Sequence, residues 1–233
     1  MKEKRSVTYT ILLLSSVYFV SYLTRNSYNV VIAQLVRETG LGQSTLALSA
    51  TGSLVAYGAG QLLSGCFGDR LQPKGLGVTS VMNLLMAFCR QPALMLGIWC
   101  VNGLAQAFLW PPLVRLMSEL FSGELYEKVV VAVTWGGSVG NIALYLAAPA
   151  LISLLGVESV FVTAALCALI AAGLLVKKCP LISGGVRSTA PRQGEKKRSP
   201  FKMPLVWAIL LAIVLQGLLR DGITTWMPVY IDA

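Results

Sequence analysis

A single charge inside the first apolar run does most to constrain this chain. From Val7 to Val36 the residues are those of a membrane-spanning helix, and Arg25 stands deep among them. A helix rises about 1.5 Å per residue, so Arg25 lies about 27 Å from Val7, inside a hydrocarbon layer about 30 Å thick. A guanidinium there costs about 2.5–3.5 kcal/mol on insertion scales. Two arrangements can carry it: snorkelling to headgroups or pairing with a buried acid, or facing a protein-lined, water-filled cavity. A second arginine favours the cavity. Arg220 lies at similar depth in the last apolar stretch, which begins at Pro204. The two read as halves of one anion site.

The neighbours of Arg25 agree. Tyr18 and Tyr22 are one helical turn apart and Tyr22 is three residues before Arg25, so the two phenols and the guanidinium share a face. Asn26, Ser27 and Asn29 continue a polar stripe that must meet protein or water.

Apolar residues make up 55% of the 233 positions and charged residues 12%, an excess too large for one soluble core. Seven runs are predicted to span: Val7 to Val36, Thr45 to Phe67, Leu76 to Phe88, Ala93 to Leu116, Val129 to Leu155, Val157 to Val176 and Pro204 to Tyr230. The third is short and holds Asn83. The first is too long for a cleavable signal and ends without a small-residue cleavage pattern.

A net charge of +9 would suggest nucleic acid in a soluble protein, but the basic residues sort by loop. With the N-terminus in the cytoplasm, only Arg37 and Arg90 of the 19 Lys and Arg face outward, and Arg25 and Arg220 are intramembrane. All the others fall inside, as the positive-inside rule requires. Basicity here encodes topology, and no nucleic-acid partner is expected.

There is no histidine, which removes Ser-His and Cys-His nucleophiles and histidine metal sites. The five cysteines lack metal-ligand spacing, so no metal or cofactor is expected. No carboxylate pair or nucleophile-base set lies in the spans, so an enzyme is not expected either.

Three further stretches carry motifs. Gly65, Asp69, Arg70 and Lys74 lie in the inner loop after the second span, where a carboxylate and bases can bridge helix ends and re-form as bundles rock. That spacing resembles the loop signature of the major facilitator superfamily. The fourth span holds Trp110-Pro111-Pro112 and Arg115, two prolines that free backbone carbonyls and bend the helix toward the interior. In the second span, small residues favour close approach, with Tyr57 and Gln61 as polar exceptions one turn apart.

These motifs together resemble the organophosphate:phosphate antiporters within that superfamily. The matching stretches are Tyr22-Leu23-Thr24-Arg25, Ala56-Tyr57-Gly58, Asp69 to Lys74, Trp110 to Arg115, Leu218 to Gly222 and Trp226 to Tyr230, all in order. The resemblance implies an all-α polytopic fold and an anion site with one arginine from each half. Tyr18, Tyr22, Tyr57 and Gln61 would surround it. A well-known member has lysine at the position of Gln61 and histidine at that of Gly137, so obligatory phosphate exchange and phosphate-ester specificity do not carry over directly.

Residues 1–176 are expected to form a six-helix bundle, 177–203 a basic cytoplasmic linker, and 204–233 the seventh helix, opening a C-terminal bundle. Family members have twelve spans, so the chain is expected to be a fragment lacking most of that second bundle. A secondary transporter of a small organic anion (phosphate ester, phosphate or carboxylate) by alternating access is the leading reading, with phosphate or a proton as coupling ion. Two guanidiniums balance a dianion. Asp221, adjoining Arg220, points about 100° away from it on a helix. The other reading is a transporter-like sensor that binds an organophosphate and signals without transport.

Overall fold

The computed structural model describes residues 2–67, residues 72–178 and ten helical positions between Pro204 and Ile223. The chain divides into two compact units, Met1–Gly185 and Val186–Ala233. The described residues of the first unit form seven helices and no strand: α1 (Lys2–Thr39), α2 (Gln43–Phe67), α3 (Gln72–Phe88), α4 (Pro92–Ala107), α5 (Trp110–Leu120), α6 (Gly123–Leu155) and α7 (Glu158–Lys178). Among the described residues, four stretches are long and apolar enough to cross a membrane: Val7–Thr39, Pro92–Leu120, Gly123–Leu155 and Glu158–Lys177. Gly75–Phe88 is a shorter apolar helix. The fold is all-α and polytopic.

The fourth expected span is one apolar stretch but two helices. Pro111 and Pro112 supply no N–H to the preceding turn, and the chain turns at Phe108 and Leu109 rather than bending smoothly. The N–H groups of Phe108 and Leu109 reach back to the carbonyls of Ala105 (3.2 Å) and Gln106 (3.1 Å). These are tight three-residue turns, after which α5 starts with its prolines in the first turn.

The helix α1 is the axis of the unit. It packs on α6 and α7 and also meets α2, α3 and α4, while α2 packs on α4 and α3 on α7. Burying apolar surface gives little drive between helices in lipid, so close packing and polar contacts must hold them. Both occur. On α6, Gly136 and Gly140 lie directly against the backbone of α1 at Ser15 and Phe19. Farther along, Tyr28, Trp99 and Phe161 stack as a fully buried aromatic row. The Tyr28 hydroxyl donates to the Leu46 carbonyl at 2.9 Å, tying α1 to α2. At one end, Leu14, Leu113, Leu116, Met117, Val129 and Val133 make an apolar core of α1, α5 and α6.

The buried amides cross-link α1 to its neighbours. Asn83, the residue that made the third span doubtful by composition, is fully buried. Its Nδ2 donates to the carbonyls of Thr24 (3.1 Å) and Thr79 (2.9 Å), and its Oδ1 accepts from the Ser27 hydroxyl at 2.6 Å. Asn102 Nδ2 donates to the same Thr24 carbonyl at 3.2 Å, and Gln106 Nε2 to the Ser21 carbonyl and to Thr24 Oγ1 at 2.8 Å. On the α6 side, Asn26 Nδ2 donates to Asn141 Oδ1 at 2.8 Å. Replacing Asn83 with leucine leaves the Ser27 hydroxyl and the Thr24 carbonyl short of a partner each. The expected loss is about 1–2 kcal/mol, with membrane helices at the low end. Denaturant titration of the full chain in mixed micelles checks it.

The α3–α4 turn is fixed by charge. Arg90 donates to the carbonyls of Ala87 (3.0 Å) and Cys89 (3.1 Å) and is ion-paired with Glu158 in the first turn of α7. The cation closes the C-terminal end of one helix while the anion sits at the N-terminal end of another, the favourable sense for both dipoles. The pair is partly solvated, so Arg90→Ala is expected to cost no more than about 1 kcal/mol, measured in the same titration.

Candidate functional site

The buried amides fix which way α1 faces. Thr24, Asn26 and Ser27 are turned into the bundle. With adjacent residues about 100° apart on a helix, Arg25 then projects from another face. There its guanidinium carbon lies over the ring of Tyr57 on α2, 4.1 Å from the centroid. A desolvated cation–π contact contributes up to about 2 kcal/mol, the same order as the insertion cost of the arginine. A ring is a neutral partner. It lowers the cost of placing the guanidinium in the span.

Below Arg25 on the same face, Tyr18 and Tyr22 meet edge to face with centroids 5.2 Å apart. The indole of Trp110 lies on the other side of Tyr18, centroids 4.7 Å apart and planes 37° from parallel. The three rings are half-buried and form one aromatic wall from α1 to the start of α5. Gly137 on α6 makes room for it. A Cβ there would fall 2.8 Å from Tyr18 Cε1 and 2.8 Å from Tyr22 Cε2, so the rings occupy the place where any side chain of residue 137 would begin.

Gln61 lies one turn beyond Tyr57, and its Nε2 donates to the carbonyl of Ala107 at 3.1 Å. Ala107 is the last residue of α4, and the donor four residues on would be Pro111, which has no N–H. The glutamine thus serves the carbonyl that the proline leaves over. Arg115 lies on α5, where its Nε donates to Glu119 Oε1 at 3.1 Å, an ordinary one-turn ion pair.

The structure therefore brings together Arg25 with Tyr57, Tyr18 with Tyr22 and Trp110, and Gln61 with the break between α4 and α5. Gly65 and Lys74 fall near the end of α2 and the start of α3, and the Lys74 side chain lies outside what the structure describes. Asp69, Arg70 and Arg220 lie outside the described residues altogether.

Sequence reasoning took Trp110 for a mark of helix bending and did not see it as part of the wall. It passed over Asn102 and gave Gln106 no role, although both hold α1 in its rotation. Their spacing of one turn on α4 was the available signal, because two amides on one face of an apolar helix need partners.

The chain is 27% identical over 110 residues to the "Probable hexose phosphate transport protein" of Chlamydia trachomatis, a stretch covering 45% of this chain and 24% of that one. The "Membrane sensor protein UhpC" of Escherichia coli is 27% identical over 110 residues, covering 45% and 25%. Its Salmonella typhimurium counterpart is 29% identical over 110 residues with the same coverage. The matched stretch thus spans about a quarter of the length of these relatives. The sequence pattern described as Major Facilitator Superfamily matches residues 14–233, from within α1 through every later helix. On that match, and with an all-α polytopic fold arranged around its first helix, the chain belongs to the major facilitator superfamily.

Proposed function

We propose that the chain binds a small organic anion, a phosphate ester, phosphate or a carboxylate, and carries it across the membrane by alternating access. The observation that carries the reading is Arg25: a guanidinium at mid-span, held over the neutral face of Tyr57 and presented beside an aromatic wall. Such a site offers charge to the anion and apolar ring faces to the rest of the molecule. Members of the superfamily are transporters rather than enzymes, and the relatives include proteins named for hexose phosphate transport. Among phosphate esters, a sugar phosphate matches this pairing of charge and ring faces.

Within this reading Tyr18, Tyr22 and Tyr57 line the site, and Arg220 is the second counter-charge that the sequence supplies. The residues Gly65, Asp69, Arg70 and Lys74 form a gate whose pairing changes as access alternates, with phosphate or a proton as coupling ion. The bundle is residues 1–176, the linker 177–203, and residues 204–233 begin the opposing bundle, with the N-terminus cytoplasmic.

A second reading has its own support. Two of the relatives are named membrane sensors and are as similar to this chain as the transport proteins are. In that case the same site binds an organophosphate and reports it without flux. Reconstituting the full chain in vesicles separates the two. Uptake of labelled glucose 6-phosphate against a protein-free control supports the transporter, saturable binding without uptake supports the sensor, and neither binding nor uptake overturns both.

A further inference from the structure

We propose that Gln61 is a positioning residue that holds the break between α4 and α5, and through it the aromatic wall, rather than a ligand for the anion. It rests on the reading above only in calling that wall part of the anion site.

The argument begins with Pro111. Without an N–H at that position the Ala107 carbonyl has no helical donor, and an unsatisfied carbonyl in hydrocarbon costs several kcal/mol. Something from outside the helix must serve it, and Gln61 Nε2 does, at 3.1 Å. The approach is built for this. At Gly60, the residue before, a Cβ would fall 2.6 Å from Ala107 Cβ and 3.0 Å from Leu104 Cδ1, so glycine brings α2 close enough for the amide to reach. The glycine gives approach, and the glutamine supplies the donor.

The consequence lies downstream of the break. Trp110 is the first residue of α5, three positions after Ala107, and its ring rests on Tyr18, which in turn meets Tyr22. On α2 itself, Tyr57 lies one turn before Gln61 and carries the guanidinium of Arg25 on its ring face. One face of α2 therefore sets both the partner of the cation and the anchor of the wall. A shift of α2 along α4 moves the two together. A neutral amide suits this duty, since it satisfies a carbonyl without adding charge beside Arg25.

Hydrogen exchange with mass spectrometry on the full chain in nanodiscs tests the role, read on the amides of residues 105–110 and 113 and compared with amides of α1. Gln61→Leu is expected to raise exchange at Phe108 to Leu113 about five- to tenfold, the equivalent of one lost hydrogen bond, with α1 unchanged. It should also shrink the near-ultraviolet circular dichroism band that Trp110→Phe removes. Gln61→His keeps a neutral N–H donor and should restore both signals. Unchanged exchange and dichroism in Gln61→Leu, or no rescue by Gln61→His, overturns the proposal. Should Gln61→Leu not fold, Gln61→Met, which has the length of glutamine and no donor, carries the same test. Glucose 6-phosphate titration of the parent chain is scored separately. A parent that binds nothing defeats the proposed function while leaving the exchange result to stand or fall by itself.

Discussion

Arg25→Ala is expected to remove measurable binding of glucose 6-phosphate by the full chain in nanodiscs, a loss of about 2–4 kcal/mol or roughly 30- to 1,000-fold in Kd. A dianion taken from water into a low-dielectric cavity needs an opposite charge, and phosphate is matched best by the planar fork of a guanidinium. Arg25→Lys keeps the charge but loses the fork and part of the contact with Tyr57, so a fall of about tenfold is expected. Tyr57→Phe keeps the ring face and should stay within about threefold of the parent. Scintillation proximity with labelled ligand reads all three. A parent-like Kd in Arg25→Ala would place the anion elsewhere and remove the central support for the proposed function.

The sequence announces this part of the molecule because its signals are local. An arginine in an apolar run, with tyrosines three and seven positions before, fixes a face from helical period alone, and the structure sets those rings together. Four of the seven expected spans were equally legible among the described residues, since length and apolar composition define them. What composition could not supply was pairing between distant helices. Asn83 looked like a flaw in a short span until Thr24 and Ser27, more than fifty positions earlier, appeared beside it. The resemblance places Gln61 around the anion, and nothing in its own stretch points to the carbonyl its amide serves on another helix, 46 positions on. Prolines at 111 and 112 foretold a disturbance, but only the observed turn at Phe108 and Leu109 shows that the span divides. Arg220, Asp69 and Arg70 remain readings of the sequence, outside the described residues.

Gly140→Val is expected to damage the bundle severely, at about 3 kcal/mol or more. A Cβ at residue 140 would lie 2.5 Å from the Phe19 carbonyl oxygen, and one at residue 136 would lie 2.6 Å from that of Ser15. The two glycines are one turn apart on α6, and the two carbonyls are one turn apart on α1. This is the spacing by which small residues let one helix rest on the backbone of another. Overpacking costs about 1–3 kcal/mol where side chains can give way, and here the obstacle is main chain, so the helices must separate. Separation has further costs. It draws Asn141 away from Asn26 and takes Gly137 from beneath Tyr18 and Tyr22, so the wall loosens as the bundle weakens. Gly97→Ala is the control, because nothing lies within 4 Å of a Cβ there. On helix propensity it should be neutral or stabilising by up to about 1 kcal/mol. Denaturant titration of both variants decides the point: if Gly140→Val unfolds no more easily than Gly97→Ala, the direct seating of α6 on the α1 backbone is wrong, and with it the placement of Tyr18 and Tyr22 over Gly137.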